Sequence, residues 1–333
     1  MPLPFILIGA AVVAGGTGLV TGARGTMKIN EAKEIISKAE KKYNEKKHIL
    51  EESERKTKIA LENLGGLKLN IWKSFERFSV AFEKIKNKPE FSDNLNEKFL
   101  FSKTELEEIK KISITAIDVL GTGLLSAGAG ALVGVAAYGG TMALGVASTG
   151  TAIATLSGVA ATNATLAALG GGSLAVGGGG MALGASVLTG AVAGPIVAVG
   201  GLLINAKGND SIQKAYGVEK EVEEIIVLMQ SSLVYLDQLK EVSNKMEAEL
   251  KKLFGLYEKQ VGILEYLVNK ETDFFMYSDE EKRIVDNNIM LVKLLNKLTK
   301  VNLVEKVNNK DCVQINKVNG SVLESEKLRA TIK

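Results

Sequence analysis

The chain has 333 residues, and its 41 Lys and Arg nearly balance 38 Asp and Glu, leaving a net charge of +3. That balance gives no footing for a nucleic-acid partner, and no basic-aromatic interleaving of the nucleic-acid type is present. A single cysteine, Cys312, rules out an intrachain disulfide, and with a single histidine, His48, it falls short of the about four ligands of a structural zinc site.

In chain order, Pro2 to Ala23 is uncharged. It lacks the basic leader of a secretory signal, because Arg24 follows the apolar stretch, so it is expected to be retained as an N-terminal apolar helix over residues 1–26. A first charged arm spans 27–118. Ile29, Ala32, Ile36, Ala39, Tyr43, Leu50, Ala60 and Leu64 keep a heptad frame, with Lys46, Ser53 and Thr57 also at core positions. His48 lies in the charged run "KKHILEESERK" and reads as a solvated helix residue. Gly65-Gly66 predicts a helix break. A second amphipathic helix follows with Leu67, Ile71, Phe75, Phe78, Phe82 and Ile85 on one face and Trp72 beside it, a spacing that points to core. Pro89 and "SDN" mark a loop. Ser102 to Glu105 or Thr104 to Glu107 then fits a capping box, opening a helix that enters the next block.

From Val119 to Ala206 there are 88 residues without one Asp, Glu, Lys, Arg or His, and they hold 22 of the 35 glycines. A spanning helix needs about twenty apolar residues, so a block over 119–206 has room for three or four membrane-type helices. Breaks are expected at Gly139-Gly140, at Gly170-Gly171-Gly172 and before Pro195. The pairs Gly130/Gly134, Gly180/Gly184 and Gly190/Gly194 match G-x-x-x-G, as do Gly18/Gly22 in the N-terminal block. That spacing puts two glycines on one helix face and lets backbones approach. Gly, Ala, Ser and Thr dominate, and they drive insertion weakly, which suits helices that pack on each other. Asn163 is the most polar residue deep in the block: in lipid it would seek a partner across helices, and in a turn it would cap.

The second arm, 207–300, keeps one heptad frame through Val218, Val222, Ile225, Met229, Leu236, Leu239, Met246, Leu250, Leu253, Tyr257, Leu264 and Leu267. A helix of that length would run about 75 Å. Ser278 to Glu281 is another capping box, opening a helix through Ile284, Ile289, Leu291, Leu294, Leu295 and Leu298. In the tail, 301–333, Asn319-Gly320 gives a weak hairpin signal. Each arm presents an apolar seam that must be covered, by the other arm or by a second copy. Arms packed together lie on one side of any membrane, so the chain would cross it an even number of times between them.

The predicted fold is all-α, with long heptad helices forming a stalk or bundle around a Gly/Ala-rich helical hairpin module. No G-x-x-x-x-G-K-[ST] and no G-x-G-x-x-G occurs, and the carboxylates lie on lysine-rich helices that read as solvated faces. No enzyme chemistry, cofactor, metal or small-molecule substrate is expected. The expected partners are a lipid bilayer and other copies of the chain.

"STGTAIATLSGVAATNATLAALGGGSLAVGGGGMALG" (Ser148 to Gly184), the "MPLPFIL" start and the charged arms resemble a bacterial family of glycine-zipper-like proteins without an established role. The "GGGSLA.GGGG" core is also similar to the small interferon-inducible glycine-rich membrane proteins of animals, which lack the arms. The overall plan resembles helical pore-forming toxins, in which bundled helices hide an apolar hairpin until they meet a membrane. These resemblances imply a bacterial, membrane-associated protein, soluble before insertion, that inserts its glycine-rich module as an oligomeric pore. The alternative is a scaffold, anchored or soluble, whose glycine block is a tightly packed helical core. A chemotaxis-like signalling rod fits less well, because its separate spans would have charged boundaries.

Overall fold

A computed structural model of the chain describes residues 23–88, 103–121, 132, 135–137, 211–307 and 310–332. The elements are α1 (Ala23–Lys84), α2 (Lys103–Gly121), α3 (Ser211–Lys270), a 3₁₀ turn (Phe274–Met276), α4 (Asp279–Thr299), strands β1 (Val304–Val307) and β2 (Lys310–Val313), and α5 (Ile315–Arg329). The fold is all-α with one small antiparallel hairpin, in which Val304 faces Val313 and Val307 faces Lys310. Apart from residues 119–121, 132 and 135–137, the expected apolar hairpin module lies outside the described residues.

The described residues fall into two compact units, and α1 and α3 each contribute to both. In the first, α1 up to Arg55 packs with α3 up to Asp237. Ala32, Ala39, Tyr43, Leu50 and Ser53 of α1 are buried, as are Ala215, Val222, Ile225, Met229, Ser232 and Leu236 of α3. The heptad positions thus form one seam, small on α1 and larger on α3. The outer face of α1 is charged, with exposed pairs such as Lys38–Glu34 and Lys47–Glu51 one turn apart. Exposed pairs of this kind add little to stability, so the seam holds the pair together. His48 is exposed, as its charged surroundings suggest.

The second unit starts at Lys56 and Gln238. Here α1 and α3 are parallel neighbours. Ser243 Oγ donates to Ala60 O at 3.1 Å, Tyr257 OH to Ser74 O at 2.8 Å, and Lys84 Nζ to Asn269 Oδ1 at 3.3 Å. Partner numbers rise together, so the two helices run the same way. Arg77 adds a bidentate fork on Glu265, at 2.9 and 2.7 Å. The two predicted seams therefore cover one another within one chain.

Shorter helices run back along this pair. Ser113 on α2 reaches Lys73 O at 3.3 Å while Lys110 pairs with Glu83, and Asn288 on α4 donates to Gln260 O at 3.0 Å while Glu281 pairs with Lys270, so α2 opposes α1 and α4 opposes α3. The C-terminal α5 lies along α3. It is fastened by Glu249, whose buried carboxylate accepts from Ser325 Oγ at 2.9 Å and Arg329 Nε at 3.0 Å. Between these helices sits an aromatic core. Phe75, Phe78, Trp72 and Tyr257 are buried, and Phe75 meets Tyr257 edge-on with ring centroids 6.1 Å apart.

Several local expectations need correction. Gly65-Gly66 does not break the helix, because α1 runs unbroken from Ala23 to Lys84. The helix ends at Lys84, and just beyond it Asn87, with a φ of 50°, takes the left-handed conformation that asparagine tolerates, while Lys88 Nζ donates to Phe82 O in the last turn and to Ile85 O. Leu67 is only half-buried, and Lys68 takes the inward position instead. Asn319-Gly320 is no turn: it lies inside α5, and the hairpin falls upstream at 304–313. Thr104 lies inside α2, which starts at Lys103, and Ser102 lies outside the described residues. Ser278 caps α4 as expected: its hydroxyl accepts from Glu281 N, and the Glu281 carboxylate accepts from Ser278 N.

Candidate functional site

In the second unit, residues 135–137 of the charge-free block are docked against the bundle. Val135, Ala136 and Ala137 are all buried. Two features of α1 make the dock. Gly65 presents bare backbone, and a Cβ built there would lie 2.0 Å from Leu132 O, so no other residue permits this approach. Gly66, the next residue, has open space around the same position. One glycine of the pair is thus required by contact and the other is not.

One turn further along α1, Lys68 is fully buried (0% exposed). Its Nζ donates to Ala136 O at 3.0 Å and to Val301 O at 3.2 Å. An ammonium carries three donors and here finds two backbone acceptors. Among the described residues no carboxylate pairs with it, and burial alone holds its pKa down at about 7. Val301 follows the C-terminus of α4, where unpaired carbonyls carry partial negative charge that favours a cation.

The surrounding contacts fix both acceptors. Trp72 lies four residues beyond Lys68, and its Nε1 donates to Thr299 Oγ1 at 2.8 Å. Thr299 Oγ1 in turn donates to Leu295 O at 2.8 Å, tying the end of α4 to α1. Leu303 N donates to Ala137 O at 2.9 Å, and Gln314 N to Leu303 O at 2.8 Å. Residues 135–137 therefore lie between α1 and the segment that leads from α4 into β1. The site can hold a backbone segment and exchange a proton at Lys68 Nζ.

The sequence-predicted packing glycines Gly18, Gly22, Gly130, Gly134, Gly180, Gly184, Gly190 and Gly194 lie outside the described residues. So do Gly139, Gly140, Gly170, Gly171, Gly172, Pro195 and Asn163. Gly65 and Lys68, which make the dock, were missed by periodicity read for apolar residues. The available signal was the register itself, since Lys68 stands four residues after Leu64 and three before Ile71.

Among the described residues no helix is long and apolar enough to cross a membrane, and no cluster of His, Cys, Asp and Glu could hold a metal ion. Compared with known protein families, curated proteins and solved structures, the chain finds no match in any of the three.

Proposed function

We propose that the protein is membrane-active: a helical bundle carrying a glycine-rich, charge-free module that enters bilayers, as an oligomeric pore of the toxin or defence-effector kind. The observation that carries this reading is the 88-residue charge-free run itself, set between two charged heptad arms. A flexible Gly/Ser linker would not carry apolar residues such as Leu174, Val176, Met181 and Leu183, and G-x-x-x-G pairs within the run suit helices that associate in lipid. The dock supports a stored state. A buried ammonium held only by carbonyls is a costly contact, and freeing residues 135–137 would return Lys68 to water and recover its hydration.

Liposome dye release tests the reading. Purified protein is expected to release trapped dye, and replacing Gly180 and Gly184 by Leu is expected to reduce release by blocking close helix approach. Protein that neither binds nor permeabilises liposomes, with or without a pH step across 7, would sink it.

The burial of Val135, Ala136 and Ala137 in protein favours a second reading, a scaffold whose glycine block completes a helical core. Membrane fractionation separates the two. A carbonate-resistant membrane fraction supports insertion, and a protein wholly recovered without detergent supports the scaffold.

A further inference from the structure

At one end of the second unit, α1 and α3 stop together, and the chain turns through residues 271–278 into α4. This turn is fastened from several sides. Lys86 N donates to Thr272 O at 2.7 Å and Phe274 N to Lys86 O at 3.1 Å, joining it to the end of α1. Glu271 Oε1 accepts from both Thr272 N and Asp273 N at 2.7 Å, and Asp273 Oδ1 accepts from Phe275 N at 3.0 Å. Tyr277 OH donates to Glu271 O at 2.8 Å. Yet the two side chains at the apex face solvent: Phe275 is 76% exposed and Met276 72%. A turn held this firmly pays no entropy on presenting them.

We propose that Phe275 and Met276 form a docking tip that seats the end of the bundle in the interface of a lipid bilayer. The proposal rests on the membrane-active reading and names the surface that makes first contact. Size selects the occupant. Two side chains offer roughly 300 Å² at most, well short of the about 800 Å² per partner of a stable protein interface. A fluid bilayer takes up a small convex apolar point without needing a matching surface. The surroundings suit that depth. Tyr266, one turn before the end of α3, is 73% exposed, and an exposed tyrosine suits the headgroup level of a bilayer. Glu271, Asp273 and Glu281 direct carboxylate oxygens onto backbone amides of the turn, while Asp279 and Glu280 stay exposed, a charge that suits a zwitterionic surface better than an anionic one. Lys270 and Arg283 keep about two thirds of their side-chain surface in solvent, although Arg283 lies 3.9 Å from Glu280 and Lys270 3.4 Å from Glu281.

The test is co-sedimentation of the full chain with phosphatidylcholine vesicles, with and without phosphatidylserine, beside the double variant Phe275→Ser with Met276→Ser. Both side chains are exposed, so far-ultraviolet circular dichroism should be unchanged. The variant is expected to partition about tenfold more weakly or worse, as loss of two buried apolar side chains requires. A tryptophan placed by Met276→Trp, read as the difference from the parent chain, whose Trp72 is buried, should shift to the blue and be quenched by shallowly brominated lipid. Equal partitioning of variant and parent would overturn the tip. So would an unshifted tryptophan in vesicle-bound protein, or concentration-dependent self-association without lipid that the double variant abolishes. Tethering the double variant to vesicles through a histidine tag and nickel-chelating lipid separates the tip from the pore reading. Dye release restored by tethering supports a docking role. Tip-dependent binding without release, tethered or not, keeps the tip and sinks the pore.

Discussion

In the first unit α1 and α3 cover one another along a single seam lined by small and aliphatic side chains such as Ala32, Ala39, Ile225 and Met229. In the second unit the same two helices are ringed by α2, α4 and α5, and whole aromatic side chains disappear from the surface. Through both units α3 keeps one heptad frame, while on α1 the second seam position shifts by one residue, from Leu67 to the buried Lys68. A heptad repeat thus specifies which stripe of a helix meets its neighbour, but the residues beside the stripe decide how many neighbours there are.

The largest expected contrast is between core truncations in the two regions. Phe75→Ala in the bundle should cost about 3–5 kcal/mol, because the ring is fully buried among several helices. Met229→Ala on the two-helix seam should cost about 2 kcal/mol, the low end for such a change, since solvent can close over the gap. Urea denaturation of each variant reads both. Equal costs would mean that the first seam is as deeply packed as the bundle.

Lys68 adds a pH dependence specific to the bundle. Its folded pKa, about 7, lies below the ordinary lysine value, so the unfolded chain binds the extra proton between those limits. Stability is therefore expected to rise as pH rises from 7 towards 10, by on the order of 3 kcal/mol, with the full penalty present below pH 7. Lys68→Met should flatten that rise in urea titrations at several pH values. An identical pH profile in the variant would show that Lys68 is not the titrating group. Tyr257, whose pKa burial pushes up, works in the opposite direction only above its ordinary range, near pH 10.

The adjacent glycines divide the effect further. Gly65→Ala places a methyl against Leu132 O and should cost about 1–3 kcal/mol, with faster amide exchange at residues 135–137. Ser278→Ala should cost about 1 kcal/mol by removing the cap of α4. Smallest is Gly66→Ala, which meets nothing and should raise stability by about 0.5–1 kcal/mol. Matching melting-temperature losses at Gly65 and Gly66 would show that helix propensity, not the dock, governs both.

Much of this was legible in the sequence because it depends on local spacing. The seam residues from Ala32 to Leu64 and from Val222 to Leu267, the Phe75–Phe82 face and the Ser278 cap all follow from period and local hydrogen-bonding chemistry. What was not legible depends on distant neighbours. A Gly-Gly pair costs a helix about 1 kcal/mol per glycine, which a close tertiary contact at Gly65 and a long flanking helix can offset. Lys68 looks like any surface lysine until Ala136 O and Val301 O are known to meet it. Asn319-Gly320 carries the dipeptide of a turn, yet Val318, Val322 and Ser325 are buried at helical spacing, and Asn319 Oδ1 accepts from Lys245 Nζ at 2.7 Å. The parallel sense of α1 and α3 is also absent from the heptad, which reads the same in either direction.

That parallel sense has a consequence for synthesis. Ser243 with Ala60, and Tyr257 with Ser74, are each separated by 183 residues. At translation rates of roughly 5–20 residues per second, a given turn of α1 leaves the ribosome about 10–40 s before the turn of α3 that will cover it. Helix formation takes microseconds but an unpacked helix is only marginally stable, so through that interval α1 samples the helix with its seam uncovered. Its charged outer faces and a seam built in part from Ala32, Ala39, Ser53 and Thr57 limit the apolar surface it shows while it waits. In the first unit the stickier side of the seam, with Val222, Ile225, Met229 and Leu236, is the side made last, whereas in the second unit α1 itself carries Ile71, Phe75, Phe78 and Phe82 and waits with them uncovered.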